Sequence, residues 1–348
     1  MRVLISVDPE IPVPPRFYGG IERVVDFLVD ELIKRQVEVV LMAHRDSQTK
    51  ASLVPWPSSR SQCPVDLIQN VLHLVKVWRM HGPFDLIHSF ARLAYLLPVL
   101  PRRVPKIQSY QRHIARRSIR WGRRLSGSSL TFTACSQFLV ENARIGHERW
   151  QAIYNGVPME KYKFRSSVPA DAPLVFLGRL ERVKGPHHAI AVAKRTGRTL
   201  ILAGNHAKEG PEADFFKREI APHIDDVHVC YVGPVDDAAK NELLGKAAGV
   251  LFPVEWAEPC GIVMAEALAC GTPVLAINRG SVPEIIEHGV TGWVAASPDG
   301  LDEGVEQLQR IDRKACRMQA EQRFSSKVIA GEYLSLYYSL IQNGSSSS

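Results

Sequence analysis

The sequence predicts an α/β protein built from two doubly wound, Rossmann-like domains in series, facing each other across a cleft. Three observations predict it. Short apolar runs alternate with amphipathic helical stretches along the chain, the pattern of parallel strands joined by crossover helices. The length, 348 residues, is long for one domain and ordinary for two. Turn chemistry at Tyr154-Asn155-Gly156-Val157-Pro158, followed by a loop-like stretch from Arg165 to Pro173, divides the chain near its middle.

In the first domain, taken as residues 1–155, strands are expected at Arg2–Val7, Glu38–Met42, Asp85–His88, Lys106–Ser109, Thr131–Ala134 and Gln151–Ile153. The clearest helix runs over Ile21–Arg35, where Ile21, Val24, Val25, Leu28, Leu32 and Arg35 recur at the three-to-four spacing of one helix face. The second domain, residues 156–324, repeats the alternation with strands at Leu174–Gly178, Thr199–Ala203, Val227–Tyr231, Gly249–Phe252, Pro273–Ile277 and Gly292–Val294. A last helix within 325–342 carries Val328, Tyr333, Leu334, Leu336, Tyr337 and Leu340, so it needs a packing partner. The tail, residues 343–348, reads as disordered. Open α/β sheets bind ligands at the carboxyl ends of their strands, which places the expected site in the cleft.

Hydrophobic residues at 45% and charged residues at 23% permit a sizeable core. The start, MRVLISVDPE, reads as a first strand and not as a signal peptide. The longest apolar run, Leu93–Leu100, contains Pro98 and is far shorter than a membrane span. Six scattered cysteines form no CxxC pair, which argues for reduced thiols and against a disulfide frame or zinc site. A cytoplasmic protein is therefore expected. Charge is unevenly split: residues 1–155 hold 22 Lys+Arg against 12 Asp+Glu, a net of +10, and the remainder hold 21 against 24, a net of −3. A basic first half points to an anionic partner.

The stretch Glu258–Glu266, EPCGIVMAE, carries the most chemistry. Glu258 stands in a loop, and Glu266 lies two turns inside the helix that GIVMAEALACG should form. Cys270-Gly271-Thr272-Pro273 ends that helix with glycine and then proline. Carboxylates suit sugar hydroxyls, and the free amides of a helix N-terminus suit a diphosphate. Together they fit a nucleotide sugar. Arg179 and Lys184, in Gly178-Arg179-Leu180-Glu181-Arg182-Val183-Lys184-Gly185, add cations suited to a departing diphosphate; alone they would be a solvated basic loop. Gly19-Gly20 after the first strand lets backbone amides approach a phosphate, although such a pair more often marks a tight turn. No GxGxxG or GxxxxGK[ST] is present. Gly280-Ser281-Val282-Pro283-Glu284 reads as a capping box, with small residues that let the chain pass near a ligand. Cys260, beside Glu258, reads as a loop-filling residue before a reactive one.

These segments together resemble the family 4 retaining glycosyltransferases of the two-domain GT-B fold. YGGIERVV, YNGV, FLGRLERVKG, LFPVEWAEPCGIVMAEALACGTPV, RGSVPEIIEHGVTGWV and the RF…Y…Y tail occur in the family's order over essentially the whole chain. The resemblance implies roles. Gly19 and Gly20 would flank the donor phosphates and the acceptor side, Gly178 would open the donor loop, and Arg179 and Lys184 would hold the diphosphate. Glu258 would bond donor-sugar hydroxyls, with Cys260 beside it and amides at Gly261, Ile262 and Val263 near sugar and phosphates. Glu266 would take the ribose hydroxyls, and the last helix would return to the first domain. One departure stands out: where the family carries a histidine near the transferred sugar, register places Gln111, with His113 two residues later.

The implied reaction moves a sugar from a nucleoside diphosphate to an acceptor hydroxyl with retention. No DxD motif appears in the relevant segments, so no divalent metal or other cofactor is expected. No carboxylate nucleophile is evident, which favours same-face substitution with the leaving phosphate taking the acceptor proton. The acceptor is a glycan, a lipid-linked or a small-molecule hydroxyl. A basic segment, Arg112, Arg116, Arg117, Arg120, Arg123 and Arg124, with Ile114, Ile119, Trp121 and Leu125 interleaved, suits an anionic inner-leaflet surface or a phosphorylated acceptor, against a simply solvated helix. Aromatics are too few there for nucleic acid. Two rivals remain at this stage: a nucleotide-sugar 2-epimerase of the same architecture, and a catalytically silent sugar-nucleotide-binding subunit.

Overall fold

In a computed structural model of the chain, residues 1–16, 19–60, 63–112, 114, 116–143, 146 and 149–345 are described. The chain divides into two compact units, Met1–Gly156 with Ser326–Ser348, and Val157–Ser325.

The first unit is built on β1 (Arg2–Ser6), β2 (Glu38–Ala43), β3 (Ser52–Pro55), β4 (Leu86–Ser89), β5 (Lys106–Tyr110), β6 (Leu130–Ala134) and β7 (Trp150–Ala152). They form one parallel sheet in the order β3-β2-β1-β4-β5-β6-β7. The order reverses between β1 and β4, where open sheets of this kind place ligands. The inner strands are buried nearly end to end, as both-face burial of a parallel sheet requires, and so read as unbroken apolar runs. One core cluster joins Leu4, Met42 and Ile87 of the sheet to Leu74 and Val77 of the helix Pro64–His81 and Ile119 of the helix Arg116–Ser126. The helix Gly20–Lys34 buries Val24, Val25, Leu28 and Leu32, and packs against the terminal helix Ser326–Ser345.

A polar thread fastens that terminal helix to the sheet. His88 on β4 is wholly buried; its Nδ1 meets Tyr337 Oη at 2.6 Å and its Nε2 meets Ser109 Oγ at 2.6 Å. Ser109 Oγ in turn meets Thr133 Oγ1 at 2.5 Å, so three adjacent strands and the helix share one network. Burial pulls the His88 pKa down to about 3, and the neutral ring serves as one donor and one acceptor.

The second unit carries β8 (Leu174–Leu177), β9 (Leu200–Ala203), β10 (Val229–Gly233), β11 (Gly249–Phe252), β12 (Val274–Ile277) and β13 (Gly292–Ala295). They form a parallel sheet in the order β10-β9-β8-β11-β12-β13. Its core gathers Leu174, Phe176, Ile190, Leu202, Leu251 and Leu275.

Three local expectations change. β3 is a strand that the sequence pattern does not mark: it has four residues, half-exposed, at the sheet edge, ending in Pro55, which an edge tolerates. β10 starts two residues later than expected, because Asp225 Oδ1 caps the amides of Val227, His228 and Val229 in the turn before it. The terminal helix reaches Ser345, so positions 343–345 of the stretch read as a disordered tail are helical; 346–348 lie outside the described residues.

Candidate functional site

Glu258 is set by backbone first. β11 runs into the loop that carries Glu258, and the helix Ile262–Ala269 follows. The Glu258 carbonyl accepts from Ser281 N at 2.9 Å. Gly280 has φ +63°, and a Cβ there would lie 2.3 Å from Glu258 O and 2.4 Å from its N, so only glycine allows this approach. The side chain is then nearly buried, at 6% exposure. Lys184 Nζ donates to its Oε2 at 2.6 Å, and Trp256 Nε1 donates to the same oxygen at 2.7 Å. Lys184 Nζ also stands 4.8 Å over the Trp256 ring, a cation–π contact. Glu255 N donates to Val183 O at 2.9 Å, tying the two loops together one residue from each partner.

Glu266 repeats the arrangement. Its helix opens at Gly261, in the left-handed region, and closes with a Schellman motif: Thr272 N donates to Ala267 O and Gly271 N to Leu268 O, both at 2.9 Å. Glu266 is 2% exposed, and its Oε1 accepts from Tyr162 Oη at 2.7 Å and Lys240 Nζ at 2.5 Å. In both glutamates one oxygen accepts from a lysine and from a neutral donor. Between the two lie the first amides of the helix, Ile262 and Val263, with the positive end of its dipole.

The remaining expected residues divide. Arg179 Nη1 bonds Glu181 Oε1 at 2.5 Å. Gly178 N donates to Ala203 O, prolonging the β8–β9 ladder. Cys260 is buried and contributes backbone: its carbonyl accepts from Ser281 Oγ at 3.1 Å. The expected side-chain cap from Ser281 is therefore not made, because the hydroxyl turns to the Cys260 loop instead. All six cysteines are free thiols, and burial pushes those of Cys270 and Cys316 up to about 12.

In the first unit Gly19 has φ +147° and a Cβ there would meet Pro15 Cβ at 2.6 Å, whereas Gly20 faces open space. Burial raises the neighbouring Glu22 carboxyl to about 7. A cavity of about 140 Å³ is lined by Gln108, Tyr110, Gln111, Arg112, Arg92 and Ile21, among others. Gln111 thus reaches a cavity; His113 lies outside the described residues. On the helix Arg116–Ser126 the arginines and Trp121 are exposed, but Ile119 is buried in the core and is not part of an outer apolar face.

Sequence reasoning missed Tyr162, Trp256 and Lys240. Lys240 did leave a signal: it precedes Leu244 by four residues on the helix Asp237–Lys246, on the face that must turn inward. Among the described residues, His187, His188 and Glu255 place three metal-type ligand atoms within 4.8 Å of one another.

Comparison with known proteins bears on this geometry. The sequence pattern of "Glycosyl transferases group 1" matches residues 159–323, and that of "Glycosyltransferase Family 4" matches residues 18–161. Glycogen synthase of Mycobacterium tuberculosis is 34% identical over 154 residues, covering 42% of this chain and 36% of that protein. The chain thus spans about a third of the length of that curated relative. Among solved structures, AviGT4, a glycosyltransferase involved in avilamycin A biosynthesis, overlays with TM-score 0.75 at 24% identity over 98% of both chains. Anabaena HepE in complex with UDP-glucose overlays with TM-score 0.75 at 20% identity over 97% of this chain and 100% of that one. These overlays establish the fold.

Proposed function

The chain belongs to the family 4 glycosyltransferases of the GT-B fold, and we propose that it is a retaining glycosyltransferase. It moves a sugar from a UDP- or GDP-linked donor to a hydroxyl of a glycan, lipid-linked or small-molecule acceptor, in polysaccharide biosynthesis. The observation that carries this reading is the Lys184–Glu258 pair, set one loop away from the start of the Ile262–Ala269 helix. In this reading the other oxygen of Glu258 accepts from donor-sugar hydroxyls and that of Glu266 from ribose hydroxyls. Gly261, Ile262 and Val263 present amides to the diphosphate. Lys184 and Arg179 oppose the charge that grows on the leaving group, and both are already ordered by carboxylates before a donor arrives. Gly19 and Gly20 flank the donor phosphates and the acceptor side, and Gln111 or His113 stands near the transferred sugar. In this reading the transfer step needs no metal at the diphosphate, since cations and a helix dipole are there to meet it; turnover that depends on added Mg²⁺ or Mn²⁺ would contradict this.

The experiment is product analysis with UDP-glucose, the molecule bound in the HepE complex, as first probe. Nucleoside diphosphate released only with acceptor present is the expected result. Interconversion of donor alone would establish an epimerase, and neither reaction a binding subunit.

No described helix is long and apolar enough to cross a membrane. We place the protein at the inner face of a cytoplasmic membrane through Arg112–Arg124. Support comes from exposed Trp121 and from a second outward stripe, Val65, Ile68, Leu72 and Met80, on the helix Pro64–His81. Both helices pack into the same core cluster. An amphipathic helix whose outer stripe is apolar beside a basic one suits an anionic lipid surface.

A further inference from the structure

We propose that His187, His188 and Glu255 form a site for a divalent transition-metal ion such as Zn²⁺. The geometry carries it. Nε2 of His187 lies 3.1 Å, and Nε2 of His188 2.9 Å, from the same oxygen, Glu255 Oε1. A tetrahedral ion with bonds near 2.0–2.1 Å holds its donor atoms roughly 3.3 Å apart. The two His–Glu separations need only small shifts, and the histidine nitrogens, within 4.8 Å of one another, must draw together by up to about 1.5 Å to close on an ion. Two imidazoles and one carboxylate are the protein ligands of a common zinc set that leaves one position for water. The side chains are 18%, 25% and 34% exposed, so water can reach that position.

The ligands are held in place before any ion arrives. His187 and His188 open the helix Pro186–Thr196, with Pro186 at its first position. Glu255 is pinned through its backbone: N donates to Val183 O, and O accepts from Arg279 Nη1. Phe215 stands edge-on to the His187 ring at 5.3 Å. The nearby cation Arg182 is paired with Glu219, which limits its repulsion of an ion. Nδ1 of His187 is buried with no hydrogen-bond partner, so this ring lacks the acceptor that supports the tightest sites. Micromolar affinity is expected. His187 lies three positions after Lys184, and Glu258 three positions after Glu255, so an ion here would fasten together the two loops that carry that pair. Its role is to position them and not to touch reacting atoms.

The test uses the tag-free full chain, stripped with EDTA and dialysed, titrated with Zn²⁺ by calorimetry and with Co²⁺ by visible absorption. One ion per chain is expected, with the intense ligand-field bands of tetrahedral Co²⁺. Saturating Zn²⁺ should raise the melting temperature by mass action. His187→Gln and His188→Gln keep a hydrogen-bond donor for Glu255 but remove a ligand, and each should weaken binding by roughly 10-fold or more. His223→Ala, outside the set, should bind as the parent does. Absence of saturable binding to the folded parent overturns the proposal, as does undiminished binding in the double Gln variant. Because no donor is present, the outcome is separate from the fate of the glycosyltransferase reading.

Discussion

The two units differ in how they treat most of their buried acids and bases. In the first, burial pushes three of them toward the neutral form: His88 falls to about 3, Lys106 falls to about 8 with Nζ donating to Arg102 O and Val104 O, and Glu22 rises to about 7, whereas buried Glu31 is held down by Lys34 and Arg35 at the surface end of its helix. In the second, buried acids are met by lysines: Glu258 by Lys184 and Glu266 by Lys240. Neutral buried groups serve packing, as the His88 thread shows. A buried charge pair is weak evidence for stability, since desolvation offsets much of its attraction. Two such pairs flanking one helix start are better explained by a ligand rich in hydroxyls and phosphate. The difference teaches where to look for chemistry: not where a pKa is most displaced, but where charges are kept and paired.

The contrast can be broken in steps of decreasing effect. Glu258→Ala should lower kcat by two to three orders of magnitude, about 2.7–4 kcal/mol, with circular dichroism unchanged; near-normal turnover would remove Glu258 from the site. Glu22→Gln tests the first unit by pH. The Glu22 carboxyl is raised in the fold, so its protonated form is favoured. Stability is then greatest below about pH 4.5 and declines as pH rises to about 7, by about 3 kcal/mol. Denaturant midpoints of the Gln variant should lose that slope; an unchanged slope would assign it elsewhere. His88→Ala should cost about 1–3 kcal/mol by leaving Tyr337 or Ser109 unsatisfied, measured by urea unfolding, with donor affinity intact. Arg120, Arg123 and Arg124 changed together to Ser should weaken sedimentation with anionic vesicles by about 1 kcal/mol per residue. Equal binding to neutral vesicles would end the membrane assignment.

Much of this was legible in the sequence because the relevant contacts are local. Parallel strands buried on both faces announce themselves as apolar runs, and Glu258, Gly261 and Glu266 sit in one short segment ordered by a single helix. What stayed hidden depends on distance along the chain. Lys240 reaches Glu266 across 26 positions and Tyr162 across 104; the inward face of its helix marks Lys240 as buried, but neither spacing names the partner. The Ser281 capping box looked sound by spacing, yet a tertiary acceptor, Cys260 O, took its hydroxyl. The Arg179–Glu181 bond, two positions apart, was likewise not marked by any pattern. Edge strand β3 failed the pattern because half of it faces solvent.

The central claim is that Glu258 grips the sugar end of the donor and Glu266 the ribose end. Calorimetry of UDP and UDP-glucose with the two alanine variants tests it directly. Glu266→Ala should weaken both ligands alike, whereas Glu258→Ala should weaken UDP-glucose and leave UDP unchanged. Equal loss of both ligands in both variants, or no loss in either, would contradict the account.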